Sequence, residues 1–175
     1  LGEYTRTGGT LHGRPAYKKD NNTNHMLWFC FASDGTPTWY VGKEEELTEA
    51  QWEYAGRAGT TTMYSWGNDI NATRANYSVS GLSQTRDVGY YAANPLGFFD
   101  MHGNVWEWTA DWYQAAYPSG NPVVDPTGPA SGSHRVVRGG SWNLDGTRLR
   151  SARRDYLPPS SRTSSIGFRV GFQQQ

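Results

Sequence analysis

Cysteine and histidine are the residues through which this chain could perform redox or metal chemistry, and it has few of them. Cys30 is the single cysteine, so the chain can form neither an internal disulfide nor a cysteine-based zinc site. The histidines are scattered without the spacing of a metal centre: His12, His25, His102 and His134. His102 follows a turn, and we expect it to form a local hydrogen bond. We therefore predict no catalytic residues.

A polar segment after Trp142 contains residue types that are common in binding sites. Residues 143–165 contain five arginines together with aspartate, tyrosine, serine and threonine. Tyr156, Arg153 and Asp155 are the strongest candidates for energetic contacts, because tyrosine and arginine dominate the hot spots of interfaces. The small residues around them leave room for a ligand, as in antibody paratopes. This segment favours binding over catalysis.

The composition predicts a loop-rich domain with an aromatic core. Eight Trp, eleven Tyr and six Phe supply large buried surfaces, while 21 Gly and nine Pro favour turns. Sixteen basic and sixteen acidic residues cancel, so we expect no binding to nucleic acid. No apolar run approaches the length of a membrane span, and we expect no direct membrane insertion.

The elements that must position the polar segment divide at a charged run, residues 43–46. Residues 1–46 are expected to form a small β-rich unit, either a separate module or the first layer of the same domain. Its strands are predicted at residues 2–7, 15–19, 26–31 and 38–41, with turns at 7–9, 20–22 and 34–35.

One helix is predicted from a capping-box pattern, in which Thr48 caps free amides and Gln51 reaches back. Gly59 ends this helix. Downstream, residues 103–108 alternate polar and aromatic side chains, as a half-buried strand does, and residues 166–170 close the chain as a strand.

Five motifs resemble, in their order, those of the formylglycine-generating-enzyme family, sulfatase-modifying proteins with a variant of the C-type lectin fold. They are LTEAQWEYA at 47–55, YSWGN at 64–68, GFFDMHGNVWEW at 97–108, RGGSW at 138–142 and IGFR at 166–169. The resemblance implies an α+β, C-type lectin-like fold of this subtype, loop-rich, with short antiparallel strands and one or two helices. The domain then covers residues 47–175, and residues 1–46 do not match.

The same resemblance allows a test for catalysis. In the catalytic members, two cysteines after the Gly-Gly-Ser motif bind copper and activate oxygen, a task that suits soft thiolate ligands. Residues 141–169 contain no cysteine, and Cys30 lies in the unmatched part. We therefore expect that the protein is not an enzyme.

Residues 143–165 strongly resemble the variable region of proteins diversified by retroelements, many of which use this lectin-like scaffold. There, adenines of a template repeat are copied unfaithfully, so that asparagine codons become many others. The chain keeps the frame of such regions at Leu149-Arg150-Ser151-Ala152, Arg154, Pro159, Arg162 and Ile166-Gly167-Phe168-Arg169. The resemblance places the ligand contacts between these positions: Leu144, Asp145, Thr147, Arg148, Arg153, Asp155, Tyr156, Leu157, Pro158, Ser161, Thr163, Ser164 and Ser165.

Amino-acid usage agrees with this mechanism. Changing the first two bases of AAC or AAT never yields Lys, Glu, Gln, Met or Trp. Residues 144–165 contain none of these five types, although all five occur elsewhere in the chain. An ordinary polar loop that lacks them by chance is the alternative.

The frame has expected physical roles. The glycines of the motif at 138–142 are expected to form a turn that other residues resist. Trp142 and Phe168 are expected to anchor the two ends of the segment in the core. The frame arginines are expected to pair with carbonyls or acids: Arg150, Arg154, Arg162 and Arg169.

Calcium is the one cofactor that the resemblance suggests, and none is required. The sequence GNVWE at 103–107 resembles a calcium site of the enzyme family, with the Asn104 and Glu107 side chains and the Val105 carbonyl as oxygen ligands. Hydrogen bonding of these side chains in a tight turn is the alternative.

The sequence thus predicts a receptor-type domain that binds an unidentified ligand, expected to be a protein, through its variable region. A copper-dependent formylglycine-generating homologue and an undiversified structural or adhesion module are the alternatives. The oligomeric state stays open, as does the location, which is a cell surface or a virion for a receptor, with the cytoplasm as the other option.

Overall fold

The computed structural model describes residues 4–11, 14–19, 25–31, 37–43, 45–116, 126 and 128–171, with side chains from residue 47 to residue 169 within these ranges. The chain divides into two units, one of Leu1–Glu45 with Val170–Gln175 and one of Glu46–Arg169. Within the described ranges, no helix has the length and apolar character needed to traverse a bilayer.

The first unit contains an antiparallel sheet of four strands in the order β1-β2-β3-β4: Tyr4–Leu11, Arg14–Lys19, His25–Phe31 and Pro37–Lys43. The four predicted strands lie in these elements. The turn predicted at residues 7–9 is wrong, because Gly8 and Gly9 stay inside β1, where the register with β2 shifts. The turns predicted at 20–22 and 34–35 lie outside the described residues.

The strand predicted at residues 166–170 consists of two shorter strands. Ile166–Phe168 belongs to the second unit, and Val170–Gly171 (β10) pairs with the short strand β5 (Glu45–Glu46). The strand therefore breaks at Arg169, whose side chain has partners described below.

The α-helix α1 (Glu49–Arg57) opens the second unit, and its predicted capping box is present. The Thr48 hydroxyl accepts from the Gln51 N–H at 3.2 Å, and Gln51 Oε1 accepts from the Thr48 N–H at 3.0 Å. These bonds satisfy amides that a helix leaves without partners at its start. The helix buries Trp52 completely, which ties it to the core.

A second sheet of four strands, in the order β8-β7-β6-β9, forms the middle of this unit. Its strands are β6 (Trp106–Trp112), β7 (Arg135–Arg138), β8 (Asp155–Leu157) and β9 (Ile166–Phe168). β7 is antiparallel to both of its neighbours, whereas β9 adds a parallel pair with β6. The long chain between β6 and β9 allows the crossover that a parallel pair requires.

The strand predicted at residues 103–108 starts later and ends later in the structure. Gly103 and Asn104 have φ angles of +90° and +66°, which no strand adopts. A Cβ atom on Gly103 would lie 2.3 Å from the Asn76 carbonyl oxygen, so only glycine fits there. Residues 103–105 therefore form a turn, and β6 begins at Trp106.

The segment 143–165 contains regular structure that the sequence does not predict. A short 3-10 helix (Gly146–Leu149) precedes β8, and another 3-10 helix lies at Ser78–Ser80. Leu149 has no exposed surface and packs in a core cluster with Tyr64, Ala75 and Tyr77. The segment is therefore part of the core as well as of the surface.

Candidate ligand-binding surface

The segment 143–165 is held to the rest of its unit through its own main-chain atoms. The Tyr64 hydroxyl donates to the Gly146 carbonyl at 2.7 Å, and Nδ1 of His102 lies 2.8 Å from the Leu149 carbonyl oxygen. Main-chain bonds add further attachments: Ser78 N–H to the Leu144 carbonyl at 3.0 Å, Ser151 N–H to the Met63 carbonyl at 2.8 Å and Trp106 N–H to the Ser165 carbonyl at 2.8 Å.

His102 is a neutral donor in this arrangement. Its Nε2 accepts the Ser65 N–H at 3.2 Å, so its ring proton lies on Nδ1 and points to the Leu149 carbonyl. Burial lowers the pKa of His102 to about 4, because a charged imidazole loses its hydration in the interior. The predicted hydrogen bonding is present, but the partners are distant in sequence and not local.

Arg138 is a buried cation that binds two carbonyls of the segment. Its side chain has no exposed surface. It donates to the Ser151 carbonyl at 2.8 Å and to the Arg153 carbonyl, and it pairs with Glu53. Its Nε lies 3.5 Å from Glu49 Oε1. Burial lowers the pKa of Arg138, while the two carboxylates favour its charged form. A guanidinium stays charged under such conditions.

The two glycines after Arg138 form the predicted turn. Gly139 and Gly140 have φ angles of +93° and +77°, which disfavour other residues. A Cβ atom on Gly140 would lie 2.7 Å from Leu149 Cδ1. The turn therefore brings the end of β7 into direct contact with the start of the segment.

The frame arginines have the partners that the sequence predicts, carbonyls or carboxylates. Two of them bind carbonyls three residues earlier, and two reach carboxylates of α1 or β6. The pairs are Arg150 with the Thr147 carbonyl, Arg162 with the Pro159 carbonyl, Arg154 with Glu49, and Arg169 with Glu107.

Trp142 and Phe168 do not both anchor the segment in the core. Trp142 is half-buried, and its indole N–H donates to the Ser164 carbonyl at 3.3 Å. Phe168 is 69% exposed, so its prediction as a core anchor is wrong. It pairs with Trp108 in β6, next to Glu107, and successive strand residues face opposite sides of a sheet. Glu107 faces α1, where it accepts a hydrogen bond from Trp52. Trp108 and Phe168 therefore lie on the side of the sheet that faces away from α1, which is called the outer side.

Burial distinguishes two residues of the predicted frame from the predicted contact residues. None of the contact residues is buried, whereas the frame residues Leu149 and Ser151 are fully buried. Several contact residues also have partners within the unit, among them Leu144 and Asp145. Leu144 packs against the aromatic core cluster, and Asp145 accepts the Thr147 N–H at 2.9 Å and so caps the 3-10 helix.

Two of the three strongest contact candidates, Asp155 and Tyr156, lie in β8, and Arg153 lies two residues before it. The Tyr156 ring stacks on Tyr113 with ring centroids 4.0 Å apart, and it meets the His134 ring edge-on with centroids 5.2 Å apart. Arg153 Nη2 lies 3.1 Å from Asp155 Oδ2. Sequence reasoning missed Tyr113 and His134, because only the pairing of β8 with β7 places them beside the segment.

A groove of about 590 Å³ opens beside the loop at residues 159–163, on the outer side of the sheet. Sequence reasoning missed the residues of its floor, although the alternating aromatic pattern of β6 was a signal for Trp108. The loop contributes Pro159, Ser161, Arg162 and Thr163, and the sheet contributes Trp108, Thr109, Arg135, Ile166, Gly167 and Phe168.

The side-chain oxygens of Asn104 and Glu107, two of the three predicted calcium ligands, bind hydrogen-bond donors in this arrangement. Arg169 donates to both carboxylate oxygens of Glu107, at 2.7 and 2.8 Å, and the Trp52 indole donates to one of them at 2.7 Å. Asn104 Oδ1 accepts the Arg86 N–H at 2.8 Å. Calcium needs six to eight oxygen ligands, and these oxygens already bind donors. The calcium site therefore stays a prediction, to be tested by metal titration.

Known proteins share this fold. The chain belongs to the family described as the sulfatase-modifying factor enzyme 1-like domain, whose model matches residues 38–173. Treponema denticola variable protein 1 superimposes with a TM-score of 0.68 and 30% identity, over 95% of this chain and 60% of that chain. The predicted α+β, C-type lectin-like fold and the resemblance to variable proteins are thereby confirmed.

Two curated relatives extend the similarity. Formylglycine-generating enzyme of Streptomyces coelicolor is 36% identical over 91% of this chain and 54% of its own length. Serine/threonine-protein kinase pkn1 of Chlamydia caviae is 38% identical over 94% of this chain and 26% of its own length. The chain thus spans about a quarter to about half of these relatives. A match to 94% of the chain must reach into residues 1–46, which corrects the expectation that they do not match.

Proposed function

We propose that this domain is a receptor-type module, and that residues 143–165 form its ligand surface, diversified by retroelement mutagenesis. One observation carries the proposal: the frame holds this segment by carbonyls and amides, and none of the predicted contact side chains is buried. Main-chain atoms are common to all residues, so side chains can change while the backbone stays in place. A fixed backbone also lowers the ordering cost of binding.

Two further observations support the proposal. The chain shares its fold with a protein described as variable, at 30% identity. Residues 144–165 contain only amino acids that altered AAC or AAT codons can encode. A protein is the ligand that suits exposed tyrosine, arginine and small polar side chains.

The absence of catalysis is part of the proposal. The copper chemistry of the enzyme family requires a cysteine pair, and this chain has one cysteine. Oxygen consumption is therefore expected to stay at background when the copper-loaded chain is mixed with a sulfatase-derived cysteine peptide. Copper-dependent turnover of that peptide would restore the enzymatic alternative.

DNA sequence provides the direct test of diversification. We expect a near-copy of the coding region for residues 143–165 close by, differing at adenines of the template, beside a reverse-transcriptase gene. If no such repeat exists, the diversification claim fails, and an undiversified adhesion module becomes the better explanation.

A display experiment tests the binding function. One library randomises contact positions that are not buried, such as Arg148, Arg153 and Tyr156. A matched library randomises the same number of buried frame positions: Arg138, Leu149 and Ser151. We expect most clones of the first library to resist protease, few of the second to do so, and binders to a chosen protein to emerge from the first alone. Equal loss of folded clones in both libraries would contradict the proposal.

A further inference from the structure

We propose that the groove beside residues 159–163 is a fixed subsite that takes an acidic peptide segment bearing a large apolar side chain. This inference rests on the proposed function, since it names the part of a protein ligand that enters the surface. The groove volume of about 590 Å³ lies within the range of small-ligand sites, roughly 300–1,000 Å³.

The floor of the groove is apolar and unusually open. Trp108 and Phe168 lie side by side across the β6–β9 pair, and Ile166 lines the same groove. Phe168 is 69% exposed, although a phenylalanine ordinarily gains free energy from burial. An apolar side chain of a ligand that covers Phe168 and Trp108 recovers this free energy.

The charge of the groove specifies the neighbouring group on the ligand. Among the residues whose side chains the structure describes, its lining includes Arg135 and Arg162 and no aspartate or glutamate. Neither guanidinium forms an ion pair with a carboxylate among residues 47–116, 126 and 128–169. A pair of cations beside an apolar floor is complementary to a carboxylate next to a large apolar side chain.

Both guanidiniums are held in place and still have donors to offer. Arg135 donates to the Ala110 carbonyl and stacks over the Trp112 ring at 3.8 Å. Arg162 Nη1 donates to the Pro159 and Ser161 carbonyls at 2.8 and 2.7 Å. A guanidinium has five N–H donors, so these bonds leave donors for a ligand carboxylate. Pre-positioned side chains also lose less entropy on binding.

The two sides of the groove have different roles: the sheet side contributes affinity, and the loop side selects among ligands. Ser161 and Thr163, which are predicted to vary, stand on the loop side, whereas Trp108, Arg135 and Phe168 belong to the unvaried sheet. The floor therefore supplies attraction common to every copy, and the loop side decides which acidic segment fits. A nucleic-acid strand would use the same stacking rings, but the chain's zero net charge does not favour it.

The test uses the full chain, labelled with ¹⁵N, and an acetylated, amidated pentapeptide of sequence Ser-Asp-Phe-Glu-Ser. We expect saturable shifts of the Trp108 indole and Gly167 amide signals. Replacing phenylalanine by alanine in the peptide is expected to weaken binding about tenfold. Replacing both acids by lysine is expected to weaken it at least as much.

Two arginine variants sharpen the assignment. Arg162→Gln is expected to weaken peptide binding about tenfold, because a charge-assisted hydrogen bond is lost. Arg74→Gln is the matched control, since this exposed arginine lies outside residues 143–165 and does not line the groove. Its binding is expected to equal that of the wild type, and thermal melts check that both variants fold.

Three results would overturn the inference. They are no saturable shift at millimolar peptide, equal binding of the lysine peptide, and displacement of the acidic peptide by short oligothymidylate at lower concentration. The template repeat and the selected library binders are independent of these peptides, so the proposed function can stand while the groove assignment fails.

Discussion

Arginines and carboxylates occur in two regions of the second unit, one buried and one exposed to solvent. In the buried region that holds the frame, the side chains of Arg138 and Glu49 are 0% and 4% exposed. On the ligand surface, Arg148 and Asp155 are 44% and 33% exposed. Removing one partner of a buried pair leaves an uncompensated charge, whereas an exposed pair is compensated by water. The same residue types therefore fix the frame in one region and are free to change in the other.

The largest expected effect is the loss of the buried cation. Arg138→Gln removes one of the two arginine partners of Glu53 and leaves two carbonyls of the segment without a donor. We expect the free energy of unfolding to fall by about 3–5 kcal/mol in urea titrations. Arg148→Gln is the matched control and is expected to cost less than about 1 kcal/mol. Similar losses in both variants would remove the distinction between the two regions.

The next effect is a loss of stability in acid through His102. Its folded pKa of about 4 lies below the unfolded value of 6.5, so the unfolded chain binds more protons between these values. The contribution is fully present above pH 6.5 and is lost as the pH falls towards 4, by up to about 3 kcal/mol. His102→Gln does not titrate and is expected to show a flatter stability profile over this window. Identical profiles would refute the assignment.

The glycine turn gives a smaller effect with a close control. Gly140→Ala combines a φ of +77° with a Cβ 2.7 Å from Leu149 Cδ1, whereas Gly97→Ala combines a φ of +83° with open space. The backbone strain is alike in both, so the difference reports the contact with the segment. We expect Gly140→Ala to cost about 2 kcal/mol more in the free energy of unfolding. An equal loss of unfolding free energy in the two variants would show that the contact between Gly140 and Leu149 is not tight.

The smallest effect is expected on the ligand surface. Asp155→Asn removes a charge whose partners Arg153 and Arg148 are partly exposed, so the change in denaturation midpoint should correspond to less than about 1 kcal/mol. Glu107→Gln provides the comparison, because this carboxylate is 7% exposed and paired with Arg169. It is expected to cost several times as much. A reversed order would place Asp155 in the frame.

Local patterns in the sequence predict their own structure well. The capping box at Thr48 and Gln51 involves residues three apart, and the structure contains it. The bonds of Arg150 and Arg162 to carbonyls three residues earlier are equally short in range. Such features depend on neighbouring residues alone, so the order of residues determines them.

Features that depend on strand pairing were not predicted. β8 has three residues, too few for a periodic pattern, and its existence follows from its register with β7. That register places Tyr113 and His134 beside Tyr156. The exposure of Phe168 likewise follows from its pairing with Trp108. Apolar character alone suggested a core position for it.

β8 would also limit the sequence repertoire of a segment that is diversified as proposed. Altering the first two bases of AAC produces CCC, so proline is among the outcomes at every diversified position. Tyr156 lies opposite Val136, but its N–H donates to Asp155 Oδ1. The alternation of an antiparallel ladder then directs the N–H groups of Asp155 and Leu157 towards β7. Proline has no N–H and is excluded from ladder positions. If the segment is diversified as proposed, we expect copies with proline at 155 or 157 to fail at folding, before any ligand selects among them, and copies with proline at 156 to fold.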